Sequence, residues 1–406
     1  MDGLAVLEQV AAVVRVARLN PAGLTRAELG RVLHLGRNGV EDRLQRAAEL
    51  GLVCQAGTRK STGGRAPAVW VFNAGAGTVA TASVSIFHTT LALTDLAGEV
   101  RCQRRLDCGV IAPPEEVCGK IVAALRALVA EHPGLPGVRG VGLTLPLPVD
   151  PQESCPIDPV ALTLGETSPW SKFPLRNRLA AELRLPVWID DEVDAMALAA
   201  SVRPGAPADL FYLRVSPGLG LGIVSGGQVH RGNTGLAGEL GHLQFGDSGL
   251  PCRCGRQSCL ETVASGKAIA DTASRAGNLA RSPALRAAAA GRGEVTAEQV
   301  FAAAAGGDRV CVKILSDVAV VLSVVLAVLV AVYSPSEIVI GGEVARSGPV
   351  FASILEVALR RKLLPTTAAR LTVRLGGVDQ SDVIVGASRL ACDALLTAPQ
   401  LSRWIK

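Results

Sequence analysis

The pattern of apolar and polar positions over the first 75 residues predicts three short helices and a β-hairpin. In chain order, the helices cover residues 4–18, 24–33 and 37–53, and the strands cover 52–57 and 68–73. Thr25 and Glu28 have the spacing of a capping box at the start of the second helix. The two strands flank a basic, glycine-rich loop, TRKSTGGRAP. This order of elements predicts a winged helix-turn-helix module over residues 1–75.

From about residue 78 onward, segments with strand periodicity alternate with segments with helical periodicity. Two strands are predicted on either side of the turn DLAGE, and long helices are predicted over residues 114–131, 308–333 and 348–362. Such alternation is typical of layered α/β domains. The sequence therefore predicts a small, mainly α N-terminal module followed by a large α/β domain over residues 76–406.

Composition places the chain among globular proteins, because 49% of its 406 residues are hydrophobic and 19% are charged. The longest apolar run, Val318–Tyr333, has 16 residues and is shorter than the ~20 that a membrane span needs. We therefore expect a buried core helix there. No secretory signal is visible, so a cytoplasmic location is expected, in which the ten cysteines stay reduced.

Charge separates the N-terminal module from the rest of the chain. Residues 1–73 contain ten Arg/Lys and six Asp/Glu, a net charge of +4, whereas the remaining 333 residues contain 31 and 30. A basic module of this kind favours double-stranded DNA as a partner, with polar residues at a helix start in the major groove and arginines of the wing in the minor groove. The candidate DNA-binding residues are Arg37, Asn38, Arg43, Arg59, Lys60, Gly63, Gly64 and Arg65. A dimerisation module with a solvated basic face is the alternative.

A cluster of potential metal ligands occurs in the stretch GELGHLQFGDSGLPCRCGRQSCLE, residues 238–261. Cys252, Cys254 and Cys259 have a C-x-C-x4-C spacing, and His242 lies ten residues upstream. Four such ligands suit tetrahedral Zn²⁺ and leave no position open for water, so the predicted site is structural rather than catalytic. Ordinary core cysteines are the alternative.

Several longer motifs give the chain its resemblance to a known family. They are PVWIDDEVDAMALAA, SPGLGLGIVSGGQVHRGNTGLAGELGH, CRCGRQSCLETVASG and IVIGGEVARSG. In this order they resemble the ROK family of repressors and sugar kinases, and STGGRAP resembles the wing of its repressor branch. The resemblance implies an actin-like, ribonuclease-H-like, two-lobed α/β fold that forms homodimers or homotetramers. One lobe would cover about 76–195 plus a C-terminal helix over 383–398, and the other about 205–380.

The resemblance also implies roles for individual residues. The family's zinc site has the same His and three Cys, but Ser258 stands where the family usually has Gly, which strains the backbone if φ is positive there. In ROK sugar kinases, residues matching the glutamates and the zinc-bound His contact sugar hydroxyls. The implied effector-binding residues are Asp191, Glu192, Asp194, Glu239, His242 and Glu261. For the acids of DDEVD, favourable placement at a helix N-terminus is an alternative explanation.

The kinase machinery of the family is altered in this sequence. Its Asp-x-Gly-x-Thr phosphate motif matches Ser83, Ser85 and Phe87, so the acid, the glycine and the hydroxyl are all replaced. The family's catalytic Asp matches Glu192, whose extra methylene moves the carboxylate by about 1.5 Å, and a displacement of ~1 Å can already cost ~100-fold in rate. Leu147 replaces a glycine of the sugar site. The sequence therefore predicts no kinase activity.

The sequence as a whole predicts a DNA-binding transcriptional regulator that reads a palindromic operator, with repression as the expected mode. Its kinase-derived domain would sense a sugar, an amino or cationic compound, or no ligand at all. Two alternatives remain at this point: a ROK-type sugar kinase that carries a wing, and an effector-independent DNA-binding protein.

Overall fold

A computed structural model describes residues 3–59, 66–157, 169–171, 173–292, 294–377 and 381–404. Contacts divide the chain into two compact units. The first unit comprises Met1–Leu143, Leu175–Ile189 and Ala387–Lys406, and the second comprises Thr144–Pro174 and Asp190–Gly386. The domain boundaries expected from the sequence near residues 75 and 195 stay predictions.

The N-terminal residues form the predicted winged helix-turn-helix arrangement. Its elements are α1 (Gly3–Leu19), β1 (Leu24–Thr25), α2 (Arg26–Leu33), α3 (Arg37–Glu49), β2 (Val53–Thr58) and β3 (Ala68–Phe72). The strands form an antiparallel sheet in the order β1-β3-β2. The predicted capping box is confirmed, because Thr25 accepts a hydrogen bond from the Glu28 N–H and the Glu28 carboxylate accepts one from the Thr25 N–H at 2.8 Å.

The third helix is shorter than the prediction of 37–53. It ends at Glu49, and the chain turns at Gly51 with φ +71° before β2 begins at Val53. A glycine at positive φ is a common helix stop, and the apolar residues after it belong to the strand instead.

The winged module shares a hydrophobic core with the C-terminal helices α15 (Ser381–Leu395) and α16 (Ala398–Leu401). Its buried members are Val10, Val13, Val14, Leu29, Leu44, Leu52, Leu395, Leu396 and Leu401, among others. At the edge of this core, Arg18 donates to the Asp393 carboxylate at 2.8 Å. The module is therefore not tethered by a free linker; apolar packing fixes it against the end of the chain.

The remainder of the first unit is built on a five-stranded sheet in the order β6-β5-β4-β7-β8. Its elements are β4 (Thr78–Val84), β5 (Thr89–Asp95), β6 (Val100–Leu106), α4 (Pro114–Ala130), β7 (Val138–Leu145), α5 (Leu175–Leu183) and β8 (Val187–Asp191). Strands β4, β5 and β6 are consecutive antiparallel neighbours, and the predicted turn at DLAGE joins the second to the third. The last two residues of β8 belong to the second unit, where they open the site described below.

The second unit is built on a five-stranded sheet in the order β11-β10-β9-β12-β13. Its strands are β9 (Leu210–Val215), β10 (Leu219–Ser225), β11 (Gln228–Val229), β12 (Glu337–Gly341) and β13 (Thr372–Leu375). Strand β12 pairs in parallel with β9 and β13, whereas β10 is antiparallel to β9 and β11.

Helices surround the second sheet. They are α6 (Glu192–Ser201), α7 (Glu261–Ala264), α8 (Gly266–Ala273), α9 (Ala276–Arg281), α10 (Pro283–Arg292), α11 (Ala297–Ala305), α12 (Arg309–Tyr333), α13 (Pro349–Arg360) and α14 (Pro365–Arg370). By length and composition, α12 is the one described helix that could cross a membrane, but half of its most apolar stretch is buried in the protein. Leu315, Leu322 and Leu326 are fully buried, as the sequence predicts for a core helix.

The shared core predicts that a cavity in the C-terminal helix destabilises the winged module. Leu395, which is 3% exposed, packs in that core, and we expect Leu395→Ala to lower the free energy of unfolding by about 2–5 kcal/mol. Urea unfolding followed by circular dichroism measures the change.

The matched control is Val32→Ala, because Val32 lies on the module but is 54% exposed. It is expected to change the free energy of unfolding by less than about 0.5 kcal/mol. Equal effects of the two substitutions would contradict a core shared between the module and the C-terminal helices.

Candidate functional site

The predicted metal ligands lie together in the second unit. Residues Leu240–His242 form a 3-10 turn that places His242, and isolated bridges between Gln244 and Cys259 and between Pro251 and Gln257 fold the cysteine loop back onto it. The ligand atoms of His242, Cys252, Cys254 and Cys259 all lie within 4.8 Å of one another, and all four residues are buried. This cluster could hold a metal ion.

The spacing of the ligand atoms fits a tetrahedral ion. Cys254 Sγ and Cys259 Sγ are 3.5 Å apart, and Cys252 Sγ and His242 Nδ1 are 3.6 Å apart. Zinc–sulfur bonds of about 2.3 Å in a tetrahedron place two sulfurs about 3.8 Å apart. Burial lowers the pKa of His242 despite the nearby Glu261 carboxylate, which favours the neutral imidazole that a metal needs.

Ser258 has the left-handed backbone that the sequence led us to suspect. Its φ is +58°, a region that costs most non-glycine residues roughly 1–2 kcal/mol. The buried Ser258 hydroxyl accepts a hydrogen bond from the Gly249 N–H at 3.0 Å. That bond, which glycine could not make, offsets part of the strain.

A cavity of about 210 Å³ lies beside the metal cluster, within the second unit. Its walls include Pro146, Leu147, Pro148, Asp191, Glu192, Arg214, Glu239, His242 and Arg253. A smaller cavity shares Asp191 and Glu239 with it and is also lined by Asp194. The structure thus brings together five of the six predicted effector-binding residues.

Glu261, the sixth predicted residue, contacts the metal cluster. Its carboxylate accepts a hydrogen bond from Cys252 Sγ at 3.0 Å and from Arg253 Nε at 3.3 Å, and lies 3.7 Å from His242 Nδ1. Glu261 therefore stabilises the cysteine loop through its hydrogen bonds with Cys252 and Arg253.

Gly238 fixes the position of Glu239. Its φ is +91°, and a Cβ atom at this residue would lie 1.8 Å from the Leu221 carbonyl oxygen. The Leu221 N–H donates to the Gly238 carbonyl at 3.0 Å, which holds this loop against β10. Only glycine permits both the backbone conformation and the close approach.

Asp191 caps α6 at the cavity wall. Its Oδ1 accepts hydrogen bonds from the Val193 N–H at 2.7 Å and the Asp194 N–H at 3.3 Å. Burial, followed by the charges of Asp194, Glu239 and Glu192, raises the pKa of Asp191 well above its usual range. The predicted placement of these acids at a helix N-terminus is therefore correct, and it coexists with their exposure to the cavity.

Two neighbouring acids form ion pairs that sequence reasoning missed. Glu192 pairs with Arg214 of β9 at 3.0 Å, and Asp190 accepts two hydrogen bonds from Arg231, one of them 2.9 Å from Nε. Asp194 lies 3.9 Å from Arg231. Burying an unpaired charge costs a large amount of free energy, so buried carboxylates need positively charged partners. The signal in the sequence would have been the arginines that are available to pair with these acids.

Glu239 differs from these paired acids. Its carboxylate forms no hydrogen bond or ion pair with any residue that the structure describes. Burial raises the pKa of Glu239 to about 7, although Arg253 lowers it and Glu261 raises it further.

The segment that matches the family's phosphate motif forms a tight hairpin tip in the first unit. Ser83 and Ser85 are buried, whereas Phe87 is 68% exposed. The Ser85 N–H donates to the His88 carbonyl at 2.7 Å, and the Ser85 carbonyl accepts from the Val110 N–H at 2.9 Å.

The predicted DNA-binding residues fall into three groups. Arg37 and Asn38 are exposed at the start of α3. Arg43 donates to the Gly39 carbonyl and to Gln9, both at 2.6 Å, and Arg59 is paired with Glu28. The remaining four, Lys60, Gly63, Gly64 and Arg65, lie outside the described residues.

Together these elements define a class of protein, a winged helix-turn-helix module joined to a two-sheet α/β domain with a His/Cys cluster. The ROK family model matches residues 86–394. The chain therefore belongs to the ROK family, and both the resemblance and the fold class predicted from the sequence are confirmed.

Individual relatives extend this result. A xylose repressor from Caldicellulosiruptor bescii is 24% identical over 387 residues, covering 93% of this chain and 94% of that protein. A glucokinase from Halalkalibacterium halodurans is 30% identical over 224 residues, covering 54% and 68%. Among solved structures, a ROK family transcriptional regulator described as a homologue of the E. coli MLC protein has a TM-score of 0.82 at 23% identity and covers 99% of both chains.

The tight packing at Gly238 generates a stability prediction. We expect Gly238→Ala to cost more than about 3 kcal/mol of unfolding free energy, because the new Cβ would overlap the Leu221 carbonyl. The control is Gly226→Ala, since Gly226 has φ +60° and a Cβ placed there would have no neighbouring atom within 4 Å. The control variant should lose only about 1–2 kcal/mol, which is the cost of backbone strain at positive φ. If thermal or urea unfolding shows the same loss of stability for both variants, the close approach of residue 238 to the Leu221 carbonyl is unimportant.

Proposed function

We propose that the protein is a DNA-binding transcriptional repressor whose ROK domain senses a small molecule. The observation that carries this proposal is the winged module packed into one core with the C-terminal helices of the ROK domain. The repressor that matches the chain over nearly its full length supports it, whereas the glucokinase matches only about half of the chain.

In this proposal, the start of α3 reads base edges in the major groove. Arg37 and Asn38 have no side-chain partner among the described residues, so they are available to DNA. Arg pairs with guanine and Asn with adenine through two hydrogen bonds each. Arg43 and Arg59 would contact phosphates only by giving up their internal bonds, and Lys60, Gly63, Gly64 and Arg65 would form the wing tip. Two copies of the chain would read a palindromic operator.

Two features argue against the alternative function, a sugar kinase. Glu192 stands where the family has its catalytic base, but its carboxylate is held in an ion pair with Arg214 at 3.0 Å and is therefore not free to approach a substrate hydroxyl. Phe87 occupies the tip of the phosphate segment, where the Ser85 amide is already bonded to His88. We infer that phosphoryl transfer has been lost and that the cavity is retained for binding.

The metal cluster would hold a structural Zn²⁺ through His242, Cys252, Cys254 and Cys259. The ion would supply no chemistry beyond fixing the loop. His242 is one of the four candidate ligands and also lines the cavity, so the ion would hold one side of the effector pocket in place. Effector binding would then bias the arrangement of the DNA-reading elements, a coupling typically worth about 1–3 kcal/mol.

Loss of a base-reading side chain should weaken operator binding. We expect Arg37→Ala to reduce operator affinity by about 1–3 kcal/mol and to relax sequence preference at one position of each half-site. The operator is first selected from genomic fragments by the wild-type protein, and affinities are then measured by fluorescence anisotropy at fixed salt.

The control for this experiment is Arg105→Ala, because the Arg105 side chain is 65% exposed on β6, outside the winged module. It should leave operator affinity unchanged. If no genomic palindrome is enriched, the DNA-binding proposal fails. If Arg37→Ala binds the operator like wild type, the role given to Arg37 in base reading fails.

Removal of one ligand tests the metal site. We expect the wild-type chain to carry one zinc and Cys254→Ser to lose it and to melt at a lower temperature, because the buried loop depends on the ion. Cys54→Ser is the control, since Cys54 is exposed on β2. Metal content is read by plasma mass spectrometry; a Cys254→Ser protein with undiminished zinc would refute the ligand set.

A further inference from the structure

Several acidic residues in and around the cavity are already paired with arginines. Glu192 is paired with Arg214, Glu261 with Arg253, and Asp190 with Arg231. Asp194 shares the same Arg231 at 3.9 Å. Every guanidinium that contacts this group of acids is therefore already engaged with a carboxylate.

Two carboxylates at the cavity wall remain without a cation. One oxygen of Asp191 caps α6, but no described residue forms a hydrogen bond or ion pair with its other oxygen. Glu239 has no side-chain partner in the described part of the chain, and Arg253 influences it only at longer range. Both residues line the large cavity and the small one, so both face the same space.

This arrangement is unfavourable when the cavity holds only water. When both groups are ionised they repel each other, and burial raises the pKa of Asp191, so without a nearby cation the neutral form of this carboxyl group is favoured. A positively charged donor between them would supply the missing charge and satisfy several acceptor lone pairs together. A neutral hydroxyl would supply hydrogen bonds but no charge.

The cavity is also lined by a hydrogen-bond donor. The Arg214 side chain is 21% exposed, and one of its terminal nitrogens is paired with Glu192. A guanidinium has five N–H donors, so an acceptor oxygen of the ligand can bind the exposed part of Arg214 while a cationic group binds the acids. A cavity of about 210 Å³ is about seven times the ~30 Å³ that one water molecule occupies in the liquid, which suits a single sugar ring.

We infer that the effector is an amino sugar with a protonated amine, and that Asp191 and Glu239 receive the ammonium group while Arg214 donates to a ring or hydroxyl oxygen. This inference rests on the proposed effector-sensing function and specifies the charge of its ligand. It also accounts for Asp at position 191, where an amide would cap α6 equally well but would carry no charge.

Isothermal titration calorimetry on the full chain at neutral pH tests the inference. The probes are glucosamine, galactosamine and mannosamine, each compared with its N-acetyl derivative and with its parent hexose. The three members of each set differ at one ring substituent, which is an ammonium in the amine, an amide in the N-acetyl derivative and a hydroxyl in the parent hexose. We expect one of the three amines to bind at least tenfold more tightly than both of its neutral counterparts.

Two variants assign the preference to residues. Asp191→Asn keeps a side chain that can cap α6, and Glu239→Gln keeps the size of the side chain, so both should fold. Each should reduce the amine's advantage over its neutral counterparts at least tenfold. Asp271→Asn, an exposed acid paired with Lys267 on α8, should leave binding unchanged.

The outcomes separate this inference from the proposed function. If a neutral hexose binds as tightly as its amine, or if the amine's advantage survives in both variants, the inference is overturned while effector sensing stands. If none of the nine sugars binds but operator binding persists, the inference is overturned while the DNA-binding part of the proposed function stands.

Discussion

Burial of acidic residues at the start of α6 is the constraint on which the pocket of this protein depends. Asp190, Glu192 and Asp194 are each at most 6% exposed, so each needs a cation or a proton nearby. Arg214 and Arg231, which lie on two other segments of the same unit, supply positive charge by forming ion pairs with Glu192 and Asp190. The ion pairs in turn decide which carboxylates stay available to a ligand and which do not.

The same constraint explains how a kinase-like fold can serve regulation. A general base must be free to accept a proton from its substrate, whereas a charge locked in an ion pair favours binding and rigidity. Glu192 is of the second kind. In the proposed function, the cavity is retained for recognition while the ion pair with Arg214 immobilises Glu192, so that a bound ligand acts as a signal rather than a reactant.

Much of the fold could be predicted from the sequence, because the signals are local. The capping box at Thr25 and the order of the winged module depend on neighbouring residues alone. The positive φ at Ser258 was suggested instead by the glycine that the family usually has at that position. The predicted length of α3 was wrong because Gly51 ends the helix before its apolar pattern does. A single glycine at positive φ can end a helix even where the apolar periodicity of the sequence continues. The pairing within the pocket could not be predicted in the same way, since Arg231 and Asp190 are 41 residues apart and only the folded sheet determines which arginine reaches which acid.

The packing of α1 against the last helices has a consequence for the modularity of such proteins. Residues of α1 and α16 lie in one core, where Val14 and Leu401 are both inaccessible to solvent. A chimera that receives a new N-terminal module from a paralogue would have to bring the matching C-terminal residues with it. With α3 as the proposed reading helix, changes of DNA specificity should therefore arise more readily by point substitution on its exposed face than by exchange of whole modules.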